Sequence, residues 1–254
     1  MKRLVIKVGT AVLTEDNKKL ALDRIQNLVK LIAKLKNEKN LEVILVSSGA
    51  VGAGYTVLQL DKKILANKQA LAAIGQPKLM KTYQEMFEEY GITAAQMLFI
   101  ADDFDSRKRS KNAKNVMENL LKNKILPIIN ENDVIATEEL IGDNDQLAAY
   151  ITHYFKADML AILTDIDGYY DKNPREFSDA KLQKIVNEIS QEELEKVPSA
   201  NSKFATGGIV TKLKAADFLM QKNIPMYLSS GFDLTNAYDF LVENNHNSGT
   251  MFKK

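Results

Sequence analysis

The chain alternates short, almost wholly apolar runs with longer amphipathic runs, and this alternation restricts its fold more than any other feature. Six apolar runs, several rich in β-branched residues, predict buried strands: RLVIKV, EVILVSS, TAAQMLFI, ILPIIN, MLAILTD and PMYLSS. The longer runs predict helices: LALDRIQNLVKLIAKLKNEKN, KQALAAIGQPKLMKTYQEMFEEYG, SKNAKNVMENLLKN, NDQLAAYITHYFKA, SQEELEKV, TKLKAADFLMQKN and NAYDFLVENN. Strands and helices in this alternation predict an α/β fold with a largely parallel sheet between helical layers.

The organisation of the chain favours a single domain over residues 1–254. A chain of this length can bury a substantial core, and it contains no internal repeat, low-complexity tract or long linker. The most loop-like stretch, DKNPREFSDAK, interrupts the later part of the predicted sheet. We interpret it as an insertion over one edge of the sheet and not as a domain boundary.

Composition argues against several classes of function. The net charge of +1 gives no indication of nucleic acid or an anionic membrane as a partner. The absence of cysteine excludes disulfides, thiolate nucleophiles and cysteine zinc sites, and His153 and His246 lie far apart in sequence. No apolar run approaches the roughly 18 residues of a membrane helix, and the N-terminal run is too short for a signal peptide. We therefore expect a cytoplasmic protein without nucleic-acid or membrane partners.

Nearly every predicted strand is followed by glycine and a small polar or charged residue. These residues are Lys7, Gly9 and Thr10; Ser47, Ser48 and Gly49; Asn130, Glu131, Asn132 and Asp133; Gly142, Asp143, Asn144 and Asp145; Thr164 and Asp165; and Gly207, Gly208 and Lys212. The carboxyl ends of parallel strands form the ligand-binding edge of such sheets. Because glycine permits close backbone approach and helix N-termini attract anions, the pattern predicts a phosphate site there.

Three of these features have simpler alternatives. A lysine within an apolar strand is costly to bury without a partner, so Lys7 predicts either a buried counter-charge or an exposed strand edge. Gly207 and Gly208 could form only a turn before a helix. Asp143, Asn144 and Asp145 could cap the helix that follows, although capping accounts for just one of them.

Two further motifs point away from other ligands. GAVGAG is superficially similar to the dinucleotide-binding fingerprint, but its glycines are spaced in the reverse order, which argues against NAD. The basic run from Ser106 to Asn115 is interpreted as a solvated helix face, since charge runs of this kind are usually exposed.

Taken in order, six motifs resemble those of the amino acid kinase family: KVGT, VSSGAVGAG, INENDVIA, GDNDQLAA, AILTDIDGYYDKNPR and ATGGIVTKLKAA. The resemblance extends from Lys7 to about Phe252, and INENDVIA followed closely by GDNDQLAA is its most specific part. It implies a three-layer αβα sandwich around a mainly parallel sheet of about eight strands. The motifs are most similar to those of members that transfer the γ-phosphoryl group of ATP to the side-chain carboxylate of L-glutamate, the first step of proline biosynthesis.

The resemblance also implies roles for individual residues. Lys7 and Lys212 correspond to lysines that contact the transferring phosphoryl group, and Asp145 to the aspartate that orients them. The implied glutamate-binding residues are Ser48, Gly49, Asn130, Asp133 and Asn144. The implied ATP-binding residues are Lys7, Gly9, Thr164, Asp165, Thr206, Gly207, Gly208, Ile209, Val210, Thr211 and Lys212. Mg²⁺ is expected on the ATP phosphates, with no protein ligand assigned to it.

Further expectations concern regulation and assembly. Proline as a feedback inhibitor and a homo-oligomeric state are both implied by the family. Many bacterial members continue into a C-terminal PUA domain, whereas this sequence ends at GTMFKK, where the kinase domain would end. We therefore expect a form without that domain.

The chemistry of the reaction agrees with the types of residue present. A carboxylate acceptor, with an ordinary pKa near ~4.3, is ionised at neutral pH and needs no general base. The obstacle is the repulsion between two anions, so the site should supply positive charge and positioning.

Alternative acceptors within the family are acetylglutamate, aspartate and nucleoside monophosphates. A blocked amino group would not require Asp133, and a nucleotide acceptor would require more arginine near the acceptor loops. A non-catalytic sensing domain is a further alternative, but it would not need Lys7 or Asp145.

Overall fold

A computed structural model of the chain describes residues 1–15, 19–100, 102–136, 144–174, 176–195 and 208–254. The strands of the described residues are β1 Arg3–Val8, β2 Glu42–Ser47, β3 Ala94–Phe99, β4 Leu126–Glu131, β5 Met159–Thr164, β6 Ile185–Val186, β7 Met226–Ser230 and β8 Thr250–Phe252. Their helices are α1 Thr10–Leu13, α2 Leu22–Asn37, α3 Ala50–Tyr55, α4 Leu65–Glu88, α5 Asp102–Asp105, α6 Arg107–Lys122, α7 Asn144–Tyr154, α8 Gln191–Glu195, α9 Gly208–Met220 and α10 Thr235–Leu241. Within these ranges, no helix is both long and apolar enough to cross a bilayer.

The strands form one eight-stranded sheet in the order β3-β4-β2-β1-β5-β7-β8-β6. All neighbouring strands are parallel except β7 and β8, which are antiparallel. The first strand, β1, lies in the interior of the sheet between β2 and β5. The chain therefore builds the sheet outwards from β1 in two directions, and the reversal of strand order at β1 creates the kind of crevice in which α/β proteins bind ligands.

Two buried clusters lie on opposite faces of the sheet and confirm the predicted three layers. Leu4, Ile6 and Val8 of β1 pack with residues of α1, α2, α3, α4 and α10 in the first cluster. Val5 packs on the other face with residues of α6, α7 and α9. Side chains alternate between the faces of a strand, so Lys7 lies on the same face as Val5, towards α7 and α9.

The six strands predicted from apolar runs are confirmed, whereas five short elements were missed. The strands β6 and β8 have two and three residues, too few for a periodic pattern to be recognised. The short helices α1, α3 and α5 follow directly after strands and have four to six residues. The loop-like stretch after β5 leads to β6 at the end of the sheet, in agreement with an insertion over one edge.

Helices α3 and α4 approach one another so closely that their contact requires glycine. A Cβ atom on Gly54 would lie 1.9 Å from the carbonyl oxygen of Leu71, and one on Gly75 would lie 1.8 Å from that of Ala50. Both obstacles are backbone atoms, which cannot rotate away. The loop between β2 and α3, which contains Gly49 with a φ of 98°, is thereby fixed against the middle of α4.

We predict that Gly75→Ala destabilises the fold through this contact. The added methyl group must separate the two helices, so the free energy of unfolding should fall by about 3 kcal/mol, the upper part of the range for overpacking. Urea denaturation measures the change. Gly91→Asn is the control, because Gly91 has a positive φ that asparagine tolerates and no atom within 4 Å of an added Cβ. Equal losses of stability in the two variants would contradict the steric explanation.

Candidate functional site

A cleft of about 380 Å³ opens at the carboxyl ends of β1, β2, β4 and β5. Ten of the residues predicted for the site line it: Lys7, Gly9, Ser48, Gly49, Asn130, Asp133, Asn144, Thr164, Asp165 and Lys212. Thr10 and Ala11 of α1, with Lys68 of α4, contribute further to its wall. The sheet therefore assembles residues from distant parts of the sequence at the edge where parallel strands bind ligands.

Two lysines meet on one buried carboxylate at the floor of the cleft. The Nζ of Lys7 lies 2.6 Å from Oδ1 of Asp145, and the Nζ of Lys212 lies 3.1 Å from Oδ2. The side chain of Asp145 has no exposed surface, and those of Lys7 and Lys212 are 5% and 7% exposed. Because β1 is an interior strand, an exposed sheet edge does not explain Lys7, and the buried counter-charge does.

The charge state of this cluster follows from its composition. Burial alone would raise the pKa of the Asp145 carboxyl, but the charges and hydrogen bonds of Lys7 and Lys212 outweigh burial and lower it. Asp145 is therefore a carboxylate at neutral pH. Two ammonium groups around one carboxylate leave an excess positive charge beside the cleft, which suits an anionic ligand.

The first turn of α9 completes the surroundings of Lys212. Its Nζ donates a hydrogen bond of 2.8 Å to the carbonyl of Gly208, and the hydroxyl of Thr211 donates to Oδ2 of Asp145 at 3.1 Å. Helix α9 begins at Gly208, three residues before Thr211, where the sequence pattern placed its start. Ile209 and Val210 are half-buried and lie outside the cleft lining.

Four residues named from the sequence have no structural description. Thr206 and Gly207 were predicted to bind ATP, Gly142 was named among the residues that follow strands, and Asp143 was considered as a helix cap. All four lie outside the described residues.

A chain of side-chain amides forms the wall on the β2 and β4 side. The Nδ2 of Asn144 donates to Oγ of Ser48 at 3.0 Å and to Oδ1 of Asn130 at 2.9 Å. The Nδ2 of Asn130 donates in turn to Oε1 of Gln76 at 2.8 Å, and Gln76 donates to Gln96 at 3.0 Å. Each amide is oriented by the next, so this wall is held in one arrangement.

Two opposite charges face the cleft beyond Asn130. Asp133 lies in the turn after β4, where burial raises the pKa of its carboxyl and the positive charge of Lys68 partly lowers it. Lys68 belongs to the first turn of α4 and is half-buried. On the other side of the cleft, the hydroxyl of Thr164 donates to Asp165 at 2.9 Å.

Sequence reasoning missed Lys68 and Gln76, because both lie within a predicted helix and follow no strand. Each nevertheless leaves a local signal. Lys68 is a positive charge in the first turn of a helix, where the macrodipole disfavours cations. Gln76 lies between Gly75 and Pro77, two residues that helix interiors usually avoid.

The basic run from Ser106 to Asn115 lies away from the cleft. The basic run forms the start of α6, where Ser106 caps the helix by accepting a hydrogen bond from the Arg109 amide at 3.4 Å. Its lysines and arginines are exposed, as a solvated helix face requires. Within the described ranges, no three His, Cys, Asp or Glu side chains form a group that could hold a metal ion.

Comparison of the sequence with known proteins identifies a family and two similar relatives. The sequence profile of the amino acid kinase family matches residues 2–230. The chain is 56% identical to the glutamate 5-kinase of Wolinella succinogenes, over 99% of this chain and 98% of that protein. It is 51% identical to the glutamate 5-kinase of Leishmania donovani, over 99% and 95% of the two chains.

Solved structures share the fold at much lower identity. An isopentenyl phosphate kinase superposes with a TM-score of 0.69 at 16% identity, over 98% of this chain and 99% of the other. The carbamate kinase of Giardia lamblia bound to AMP-PNP gives a TM-score of 0.69 at 16% identity, over 100% and 98% of the chains. At this level of identity the likeness supports the fold alone.

We predict that Asp145→Asn destabilises the chain by about 3 kcal/mol at pH 7, because it leaves two cations together without their counter-charge. The lower end of the range for a broken buried pair applies, since both ammonium groups adjoin an open cleft. The pKa of Asp145 is depressed in the folded chain, so its contribution is complete above about pH 4 and declines as the pH falls further.

Urea denaturation of both proteins between about pH 2 and pH 8 measures this difference and its decline at low pH. Glu38→Gln is the matched control, because Glu38 pairs with Lys34 at 3.6 Å on an exposed helix face and should contribute less than about 0.5 kcal/mol. If both substitutions had equally small effects, the buried cluster would not be an important source of stability.

Proposed function

The chain belongs to the amino acid kinase family, and from its cleft we infer that it transfers the γ-phosphoryl group of ATP to the side-chain carboxylate of L-glutamate. This is the activity named in the relatives that match nearly the whole chain. The observation that carries the inference is the meeting of Lys7 and Lys212 on Asp145 beside the cleft. The product is L-glutamyl 5-phosphate, the first intermediate of proline biosynthesis.

The two lysines address the main obstacle to this reaction. Two unit charges about 4 Å apart repel by about 4 kcal/mol at an effective dielectric constant near 20, and a phosphoryl group carries more than one charge. Ammonium groups beside the transferring group offset that repulsion and stabilise the charge of the transition state. The acceptor carboxylate is already ionised, so the chain needs no general base to activate it.

Asp145 acts through the two lysines. It pairs with both ammonium groups from a fully buried position and thereby fixes where their charges lie. A site that is fixed before the substrates arrive does not have to reorganise during the reaction, which is the main source of electrostatic catalysis. The mechanism therefore assigns Lys7 and Lys212 to contact the phosphoryl group and Asp145 to position them.

The nucleotide is assigned to the side of the cleft formed by β1, β5 and α9. Gly9, Thr164 and Asp165 line this side, and α9 begins there with Gly208. Lys212 and the first turn of that helix present positive charge to the phosphates. Thr206 and Gly207 complete the proposed ATP-binding segment, together with Ile209, Val210 and Thr211.

A divalent metal is expected with ATP, and we propose that it is Mg²⁺. Asp165 contributes a carboxylate to the nucleotide side of the cleft, and carboxylate oxygens are ligands that Mg²⁺ accepts. When bound, the metal ion neutralises charge on the phosphates. Because Mg²⁺ usually keeps waters and binds substrate phosphates, most of its ligands would come from ATP.

Glutamate is assigned to the side formed by β2 and β4. The carboxylate of Asp133 suits the α-ammonium group, and Asn130 and Asn144 offer amide donors and acceptors without net charge. Ser48 and Gly49 provide a hydroxyl and backbone at the start of α3. The hydrogen bonds among Asn144, Asn130 and Ser48 hold these groups in place before the substrate binds.

We also propose that the chain forms homo-oligomers in the cytoplasm and is inhibited by proline. These proposals rest on resemblance to the family. Light scattering of the purified protein, and assays with added proline, would test them.

The acceptor itself can be tested directly. Acyl phosphates react with hydroxylamine to give coloured hydroxamates, so the purified chain should form hydroxamate with ATP and L-glutamate. Acetylglutamate and aspartate should give far less. A signal with acetylglutamate but not with glutamate would overturn the assignment of the acceptor.

We predict that Lys7→Ala and Lys212→Ala each lower kcat by at least about 10²–10³-fold, the cost of removing one charge-stabilising donor. Steady-state assays at saturating ATP and glutamate measure the loss, and circular dichroism verifies that the variants are folded. Lys214→Ala is the control, since Lys214 is an exposed lysine of the same helix. Near-wild-type turnover in either variant would remove that lysine from the mechanism.

We predict that Asp133→Ala raises KM for glutamate much more than KM for ATP. The variant removes the counter-charge proposed for the α-ammonium group but leaves the nucleotide side of the cleft intact. Measurement of both constants, with Asp179→Ala as an exposed acidic control, separates the two effects. Comparable increases in both constants would count against this role of Asp133.

A further inference from the structure

Lys68 is a cleft residue for which the proposed reaction has so far provided no role. It is the fourth residue of α4, is half-buried and lines the same cleft as Asp133. Its neighbour Gln69 donates a hydrogen bond of 3.4 Å to the carbonyl of Ala136, which joins the first turn of α4 to the segment after β4. This contact places Lys68 and Asp133 on adjoining parts of one wall.

The position of Lys68 is unfavourable for the helix that carries it. The N-terminal end of a helix has a partial positive charge, so a lysine there costs stability where an acidic residue would add to it. The first turn of α4 contains no acidic residue to compensate. The N-terminal turn and the lysine together form a positive region at the cleft, which is the arrangement that an anionic ligand requires.

The charge of Lys68 acts on Asp133 although the two side chains form no ion pair. The charge of Lys68 lowers the pKa of Asp133, against the effect of burial. Among the residues that the structure describes, however, no contact of 4.0 Å or less between a basic and an acidic group involves either of them. Two opposite charges that face one cleft without contact fit a ligand that carries both charges itself.

The sheet order separates Asp133 from the nucleotide side of the cleft. Asp133 follows β4, whereas Thr164 and Asp165 belong to the end of β5, and the order is β4-β2-β1-β5. Three strand spacings correspond to about 14 Å. Lys68 is therefore placed with the part of the acceptor remote from the reacting carboxylate and not with the nucleotide.

We propose that the ammonium group of Lys68 binds the α-carboxylate of the amino-acid acceptor while Asp133 binds its α-ammonium group, an inference that rests on the proposed function. The pair recognises the zwitterionic end of a free amino acid. Acceptors that lack either charge leave one of the two side chains without its partner, and so they bind more weakly. Lys68 is thus a specificity-determining residue for free α-amino acids.

Two analogues of glutamate separate the contributions of the two residues. 4-Aminobutyrate lacks the α-carboxylate, and glutarate lacks the α-ammonium group. In Lys68→Met, the Kd for L-glutamate should rise about 10–100-fold, the effect of one hydrogen bond to a charged group, while the Kd for 4-aminobutyrate changes less than about threefold. In Asp133→Asn, the Kd for glutarate should remain unchanged, because glutarate has no α-ammonium group for Asp133 to bind. Isothermal titration calorimetry measures binding, and ADP release measures kcat/KM in parallel.

Controls exclude a structural role. Lys68→Arg should retain most of the affinity for glutamate, and Lys81→Met removes an exposed lysine of the same helix that should have no effect on it. Lys68→Met should not lower the melting temperature, because it removes a cation from the N-terminal turn of α4.

Equal weakening of glutamate and 4-aminobutyrate in Lys68→Met would overturn the inference, as would unchanged binding of both. Failure of the proposed function has a different signature. If the wild-type chain released no glutamate-dependent ADP but Lys68→Met still weakened glutamate binding selectively, the carboxylate contact would stand and the reaction would not.

Discussion

The ion pairs of Asp145 with two lysines are the interaction on which the cleft depends. The Asp145 carboxylate, which has no exposed surface, pairs with Lys7 from the first strand and Lys212 from a late helix. A charge buried in this way is tolerated only because it is paired on both oxygens, and the lysines are tolerated only because of it. The cluster therefore holds β1, α7 and α9 together while it leaves net positive charge beside the cleft.

Much of the fold could be predicted because the central strands are apolar on both faces. β1, β2, β4 and β5 are covered by helices on either side, so their sequences are nearly continuous apolar runs that stand out from the amphipathic helices. The strands β6 and β8 were missed because each is too short to form a recognisable apolar run. They are two and three residues long, and their pairing is set by the sheet that is already present and not by a pattern of their own.

The site could be predicted only as far as it follows the strands. Ser48, Asn130 and Thr164 come directly after strands, and the parallel arrangement brings such residues to one edge. Along α4, Lys68 reaches the cleft and Gln76 reaches Asn130 in its wall. The position of α4 depends on the close approach of Gly54 and Gly75 to backbone atoms of the partner helix. That approach is a property of tertiary packing, and sequence periodicity does not reveal which face of a helix meets a cleft.

In the proposed mechanism, the start of α7 connects acceptor recognition with phosphoryl transfer. Asn144 and Asp145 are consecutive, yet their side chains serve opposite sides: Asn144 donates to Ser48 and Asn130, and Asp145 holds Lys7 and Lys212. Since two adjacent residues on one rigid helix fix both sets of contacts, the acceptor wall and the cationic cluster cannot shift independently. In a reaction limited by repulsion between two anions, the distance between acceptor and phosphoryl group has to be imposed by the protein. In the proposed mechanism, a single helix turn that fixes both sets of contacts is a direct means of imposing it.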